Sequence, residues 1–198
     1  MAPKPSRAYN LVAVLSRPLF LRLYRLEARG LERLPAEGGY VLAANHVSNL
    51  DPWPLGLPLW PGRFLRFMAK SDLYWWPLSL LLAGAGAFPV RRGQADVEAI
   101  ETAVELAREG HVVAMFPEGT RARKGLRKRF AARPRTGAAR IALDAGVPLV
   151  PAAIGGTDRL ARLGKLRVAY GEPLPPAGTP QELTDRLMAE IERLRESL

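Results

Sequence analysis

Tyr40-Val41-Leu42-Ala43-Ala44-Asn45-His46-Val47-Ser48-Asn49-Leu50-Asp51-Pro52 splits into an apolar half and a polar half. Tyr40–Ala44 reads as a short β run, and the chain turns polar at Asn45. A strand ending in a polar turn places its last side chains at the rim of the sheet, where α/β sites usually lie. Further β runs fall at residues 25–29, 63–69, 87–90, 112–116, 147–154 and 166–170. Helical spacing covers residues 8–23, 95–108 (stopping at Gly110), 138–145 (ending at Gly146) and 180–198. The last begins with Thr179 as N-cap, Pro180 at the first position and Glu182 three residues after the cap. Strands alternating with helices predict an α/β sandwich around one sheet.

Composition narrows the function classes. The 198 residues suit one compact domain, and 48% hydrophobic residues allow a real core. With no cysteine, disulfides and thiolate metal sites are excluded; with only His46 and His111, a histidine-rich metal centre is not expected. The net charge of +10 favours polyanions such as anionic lipid headgroups, phosphorylated metabolites or nucleic acid, or reflects an Arg-rich composition. No helix-turn-helix, RNA-recognition or zinc signature accompanies the charge, so nucleic acid is not the expected partner.

Two apolar stretches bear on membranes. Leu11, Val12, Val14, Leu15, Leu19, Phe20, Leu23 and Leu26 recur at helical spacing beside Arg7, Arg17, Arg22 and Arg25. Such a helix either lies in a membrane interface or packs on the protein's own core. Residues 73–90 carry no charge but are broken by Pro77, Gly84 and Gly86, which predicts a core helix with Trp75 and Trp76 at a lipid-facing end.

Two constellations carry chemistry. His46 is the one side chain of its turn that titrates near neutrality, and Asp51 lies five residues on. A carboxylate returned to the imidazole would fix its tautomer and stabilise the imidazolium. Asp51 before Pro52 is equally suited to cap a helix. The second constellation is Phe116-Pro117-Glu118-Gly119-Thr120-Arg121. Gly119 permits close backbone approach, Arg121 offers a fork for phosphate, and Glu118 either orders the site or binds a substrate hydroxyl. His111 shows no partner pattern and reads as structural or exposed.

NHxxxxD and FPEGTR, about seventy residues apart, together resemble the glycerolipid acyltransferases of the lysophosphatidic acid acyltransferase (PlsC-like) family. Gly86-Ala87-Phe88-Pro89-Val90-Arg91-Arg92-Gly93, Val147-Pro148-Leu149-Val150-Pro151 and Tyr170-Gly171-Glu172-Pro173-Leu174 resemble further blocks of the same family, so the likeness spans about residues 25–175. It implies a single mixed sheet of about seven strands flanked by helices, over residues 25–198, preceded by an amphipathic helix over 1–24. It implies His46 as general base, Asp51 as its orienting partner, and Arg92, Glu118, Gly119, Thr120 and Arg121 at the acceptor. The implied reaction moves a fatty acyl group from acyl-CoA or acyl carrier protein to the sn-2 hydroxyl of lysophosphatidic acid, giving phosphatidic acid, with no cofactor and no metal. Glycerol 3-phosphate or another lysophospholipid is the alternative acceptor; a basic membrane-surface or nucleic-acid-binding protein is the non-enzyme alternative. The expected placement is peripheral or monotopic on the cytoplasmic face of the cell membrane, against an anionic surface. One departure from the family is the basic run Arg121, Arg123, Lys124, Arg127, Lys128, Arg129, Arg133, Arg135 and Arg140. It suits anionic lipid, the phosphates of CoA, an acidic carrier protein, or plain solvation.

Overall fold

The structure, a computed structural model, describes residues 3–90, 97–118 and 134–198. Its strands are β1 (Glu27–Arg29), β2 (Tyr40–Ala44), β3 (Leu65–Lys70), β4 (Ala87–Val90), β5 (Val112–Met115), β6 (Leu149–Gly155) and β7 (Arg167–Tyr170). They form one sheet in the order β1-β7-β6-β2-β5-β3-β4. All pairs are parallel except β6 with β7, so the sheet is mixed, as expected. The helices are α1 (Arg7–Pro18), α2 (Pro52–Gly56), α3 (Leu78–Gly84), α4 (Val97–Arg108), α5 (Gly137–Ala145) and α6 (Pro180–Glu196).

Strand pleating divides the core into two layers. Tyr40, Leu42 and Ala44 of β2, with Leu65 and Phe67 of β3, face Leu55, Leu59, Leu82 and Ala85 on one side. Val41 and Ala43 point the other way, onto Ala103 and Ala107 of α4, Ile141 of α5, and Leu183, Leu187 and Ile191 of α6. Every residue of β2 is therefore buried, which is why this strand has no polar alternation.

The helix over 8–23 is present and extends past its proline. Ser6 caps α1, its hydroxyl accepting from the Tyr9 amide at 3.1 Å. Pro18 withholds an amide from the ladder, and the chain continues in a wider π-helical turn over Leu19–Leu23. Tyr9, Ala13 and Phe20 are buried, whereas Leu11, Val14, Leu15, Leu19, Leu21 and Leu23 are exposed. Thus α1 packs on the core by one face and presents a second apolar face outward.

Several boundaries and one element differ from the sequence reading. The first strand begins at Glu27 because Arg25 takes a positive φ of 45°. The strand expected from 63 begins at Leu65, since Arg63 turns back to donate to the carbonyls of Ala36, Gly38 and Gly110. The strand expected to end at Phe116 stops at Met115, and that expected from 147 begins at Leu149. The run 73–90 is not a core helix. Only Leu78–Gly84 is helical, and Trp75, Trp76, Leu80 and Leu81 are exposed. Two helical turns can bury only one stripe, here Leu82 and Gly84. In α6 the capping box is complete: Thr179 Oγ1 accepts from the Glu182 amide, and the Glu182 carboxylate accepts from the Thr179 amide.

Gly86 links α3 to β4 with φ of 88°, and a Cβ there would stand 2.2 Å from the Leu65 carbonyl oxygen. Gly86→Ala combines left-handed strain with a backbone clash, so it is expected to destabilise by about 2 kcal/mol and to lower Tm by about 4–8 °C in thermal unfolding.

Candidate functional site

The two constellations meet because their strands are neighbours. β2 and β5 pair in parallel with Ala43 opposite Met115, so their C-terminal ends open side by side. His46 and Glu118 each stand three residues beyond those partners. β6 flanks β2 on its other side, with Ala44 opposite Ala152. Beyond that pair, the buried Asn45 carboxamide donates to the Ile154 carbonyl at 3.0 Å and accepts from the Ile154 amide at 2.8 Å. Its side chain thereby holds the end of β2 to β6.

From that anchor the chain makes a tight turn into α2. The Asp51 amide donates to the Ser48 carbonyl at 3.3 Å, and the Leu50 amide to Ser48 Oγ at 3.2 Å. Asp51 occupies the position before α2, and Pro52 fills the first turn, but the Asp51 side chain makes no capping bond to that helix. It faces backward instead. Oδ2 lies 2.8 Å from His46 Nδ1 and accepts from the amides of Val47 at 2.8 Å and Ser48 at 2.9 Å. Oδ1 accepts from the Thr157 hydroxyl at 2.6 Å. Asp51 is wholly buried. A buried carboxylate is tolerated only with donors of this kind around it.

With Nδ1 given to Asp51, Nε2 of His46 carries the free lone pair of the neutral ring. The ring is 13% exposed and stacks on Phe116, with centroids 4.3 Å apart and planes at 21°. Phe116 is the first residue after β5, so the second motif buttresses the first. Burial raises the Glu118 pKa, against the nearby His46 amide and the positive charge of Arg195. Glu118 thus stands near His46.

Of the site residues read from sequence, His46, Asp51 and Glu118 are brought together. Arg92, Gly119, Thr120 and Arg121 lie outside the described residues, as does the basic run up to Arg133. Arg135 and Arg140 are described and exposed. His111 is largely buried; Phe64 packs edge-on against it, its Nδ1 has no partner, and burial lowers its pKa. It stands just before β5, at the end of that strand opposite Glu118, in a structural role. Among the described residues no group of three or more His, Cys, Asp or Glu side chains is placed to hold a metal ion.

Three contributors escaped the sequence reading. Asn45 stood in the quoted motif without a role. Phe116 heads the second motif, but nothing along the chain places its ring against His46. Thr157 carried no signal, since nothing along the chain places it beside Asp51. Pro52 lines a small apolar cleft between α1 and the sheet, with Tyr9, Val12, Trp53, Leu57 and Phe67.

Comparison with known proteins agrees with this geometry. A family model described as Acyltransferase matches residues 25–155. The 1-acyl-sn-glycerol-3-phosphate acyltransferase of Bacillus subtilis is 34% identical over 174 residues, covering 84% of this chain and 83% of the relative. The chloroplastic 1-acyl-sn-glycerol-3-phosphate acyltransferase BAT2 of Brassica napus is 32% identical over 149 residues, covering 71% of this chain and 40% of the relative. The crystal structure of the 1-acyl-sn-glycerophosphate acyltransferase PlsC from Thermotoga maritima superposes with a TM-score of 0.74 at 25% identity, covering 93% of this chain and 77% of that one. The sheet, the paired motifs at its rim and the matched residues agree: this chain belongs to the acyltransferase family and is an O-acyltransferase.

Proposed function

We propose that the enzyme transfers a fatty acyl group from acyl-CoA or acyl carrier protein to the sn-2 hydroxyl of 1-acyl-glycerol 3-phosphate, yielding phosphatidic acid. The observation that carries this reading is His46, held by Asp51 at 2.8 Å and stacked on Phe116, with Nε2 left as a base. The substrates named for the relatives in Bacillus subtilis and Brassica napus support it.

In this reading Nε2 removes the proton from the lipid hydroxyl as its oxygen attacks the thioester carbonyl carbon. A tetrahedral oxyanion forms, the C–S bond breaks, and the proton on His46 passes to the departing thiolate. The new bond is the ester, and the released product is the free thiol. Direct transfer is preferred to an acyl-enzyme, because the chain has no cysteine and Ser48 is engaged in its turn. The reaction draws on side chains alone, with the acyl donor as substrate. Asp51 balances the imidazolium charge. Arg92 and Arg121 take the acceptor phosphate, with Gly119 and Thr120 also at the acceptor, as the family resemblance implies.

The enzyme docks peripherally on the cytoplasmic face of the cell membrane. Among the described residues no helix is long and apolar enough to cross a membrane. What supports docking is an outward apolar surface on two contacting helices: Leu11 and Leu15 of α1, Leu80 of α3, and Trp75 and Trp76 just before α3. Exposed Arg7, Arg17, Arg22 and Arg25 surround α1 with positive charge. Such a face matches an anionic interface, with aromatic rings at headgroup depth.

His46→Ala is expected to cut turnover by about 10²–10⁴ with the fold retained by circular dichroism, and Asp51→Asn by at least about tenfold. Wild-type turnover in His46→Ala would remove it from the mechanism. Arg92→Ala and Arg121→Ala should each raise the acceptor KM about tenfold or more while sparing the donor KM, since a charge-assisted phosphate contact is lost. In co-sedimentation the protein should bind phosphatidylglycerol vesicles at low salt and be partly released at high salt. Leu15 and Trp76 are both exposed, and the pair Leu15→Asp and Trp76→Asp should reduce the salt-resistant fraction by about tenfold or more.

A further inference from the structure

Asp51 has two carboxylate oxygens, and the dyad accounts for only one. Oδ2 is surrounded by His46 Nδ1 and the amides of Val47 and Ser48. Oδ1 receives the hydroxyl of Thr157, 106 residues further along the chain. Thr157 is 3% exposed and Asp51 0%, so no bulk water replaces this bond. The placement is built rather than incidental. Thr157 follows β6, whose Ile154 is fixed to the end of β2 by both groups of the Asn45 carboxamide. Between them Gly156 turns the chain at a φ of 93°, and a Cβ there would lie 2.4 Å from the Lys165 carbonyl oxygen. Asn45 and Gly156 together set the register that brings the hydroxyl to Oδ1.

We propose that Thr157 is a positioning residue for acyl transfer: its hydroxyl clamps the Asp51 carboxylate plane so that Oδ2 faces His46 Nδ1. This rests on the reading of His46 as the general base. The two amides on Oδ2 come from the turn before Asp51, and they alone leave the carboxylate free to swing about that oxygen. The Thr157 bond fixes the second oxygen and completes the ring of donors that a buried anion requires. The demand is greatest while His46 carries the transferred proton, because the imidazolium must then be matched by an ionised and oriented carboxylate. Thr157 reaches no substrate in this scheme, so its effect falls on turnover and not on binding.

The test compares Thr157→Val, Thr157→Ala and Thr157→Ser with the wild type and with His46→Ala, measuring kcat and both KM values beside Tm. Val keeps the shape and removes the donor. The expected result is a fall in kcat of about tenfold to a hundredfold in Thr157→Val, with both KM values within about twofold, and recovery of most activity in Thr157→Ser. If Val fails to fold, Ala carries the same expectation. Wild-type kcat in a folded Val or Ala variant, with His46→Ala inactive, overturns the positioning role alone. A Ser variant as slow as Val also overturns it, since the methyl group and not the hydroxyl would then matter. An active His46→Ala overturns the general-base reading and this proposal with it.

Discussion

A strand with no polar residue has to be covered on both faces and paired on both edges, and β2 meets that constraint at the middle of the sheet. Much of the molecule follows from it. The parallel partners β5 and β6 lie on either side, and both run toward the same rim as β2. Helices must then cover both layers, α4, α5 and α6 on one and α2, α3 and part of α1 on the other. Three chain segments distant in sequence, those beginning at Asn45, Phe116 and Gly156, are delivered to one point. The site is the place where the central strand and its two neighbours run out of hydrogen-bonding partners.

In the proposed reaction, the chemistry at that point depends on a buried negative charge. Removing a carboxylate from water is costly unless donors replace the hydration shell. Here the donors are two amides of a short turn, an imidazole and a hydroxyl. The same bonds that make burial tolerable also orient the imidazole, so folding and function draw on one set of contacts. Phe116 closes the remaining freedom of the ring by stacking. The second motif therefore supports the first before any substrate arrives.

The helices on the α1 side face a different solvent problem. α1 and α3 satisfy the core with one stripe each and leave leucines and two tryptophans outside. The opposite side differs: α6 buries Leu183, Leu187, Ile191 and Leu194 and turns charged residues outward, with Arg193 and Arg195 paired to Glu190 and Glu192. The proposed docking at a membrane surface gives a physical reason for the asymmetry.

Local pattern in the sequence determined the seven strands, the α6 capping box and the α/β class, while the mixed sheet and the pairing of His46 with Asp51 came from the family resemblance. The strands and the cap rest on short-range physics: alternation and capping. The tertiary structure alone decided three things. The outward face of α1 depends on which stripe the sheet leaves uncovered, and hydrophobic spacing is the same for a buried and a lipid-facing stripe. The run 73–90 is uniformly apolar, so its surface position emerges only when two helical turns are fitted against β4. Thr157 reaches Asp51 because β6 chose the edge of β2 opposite β5, a choice that no spacing along the chain records, since sheet order is settled by packing among all the strands at once.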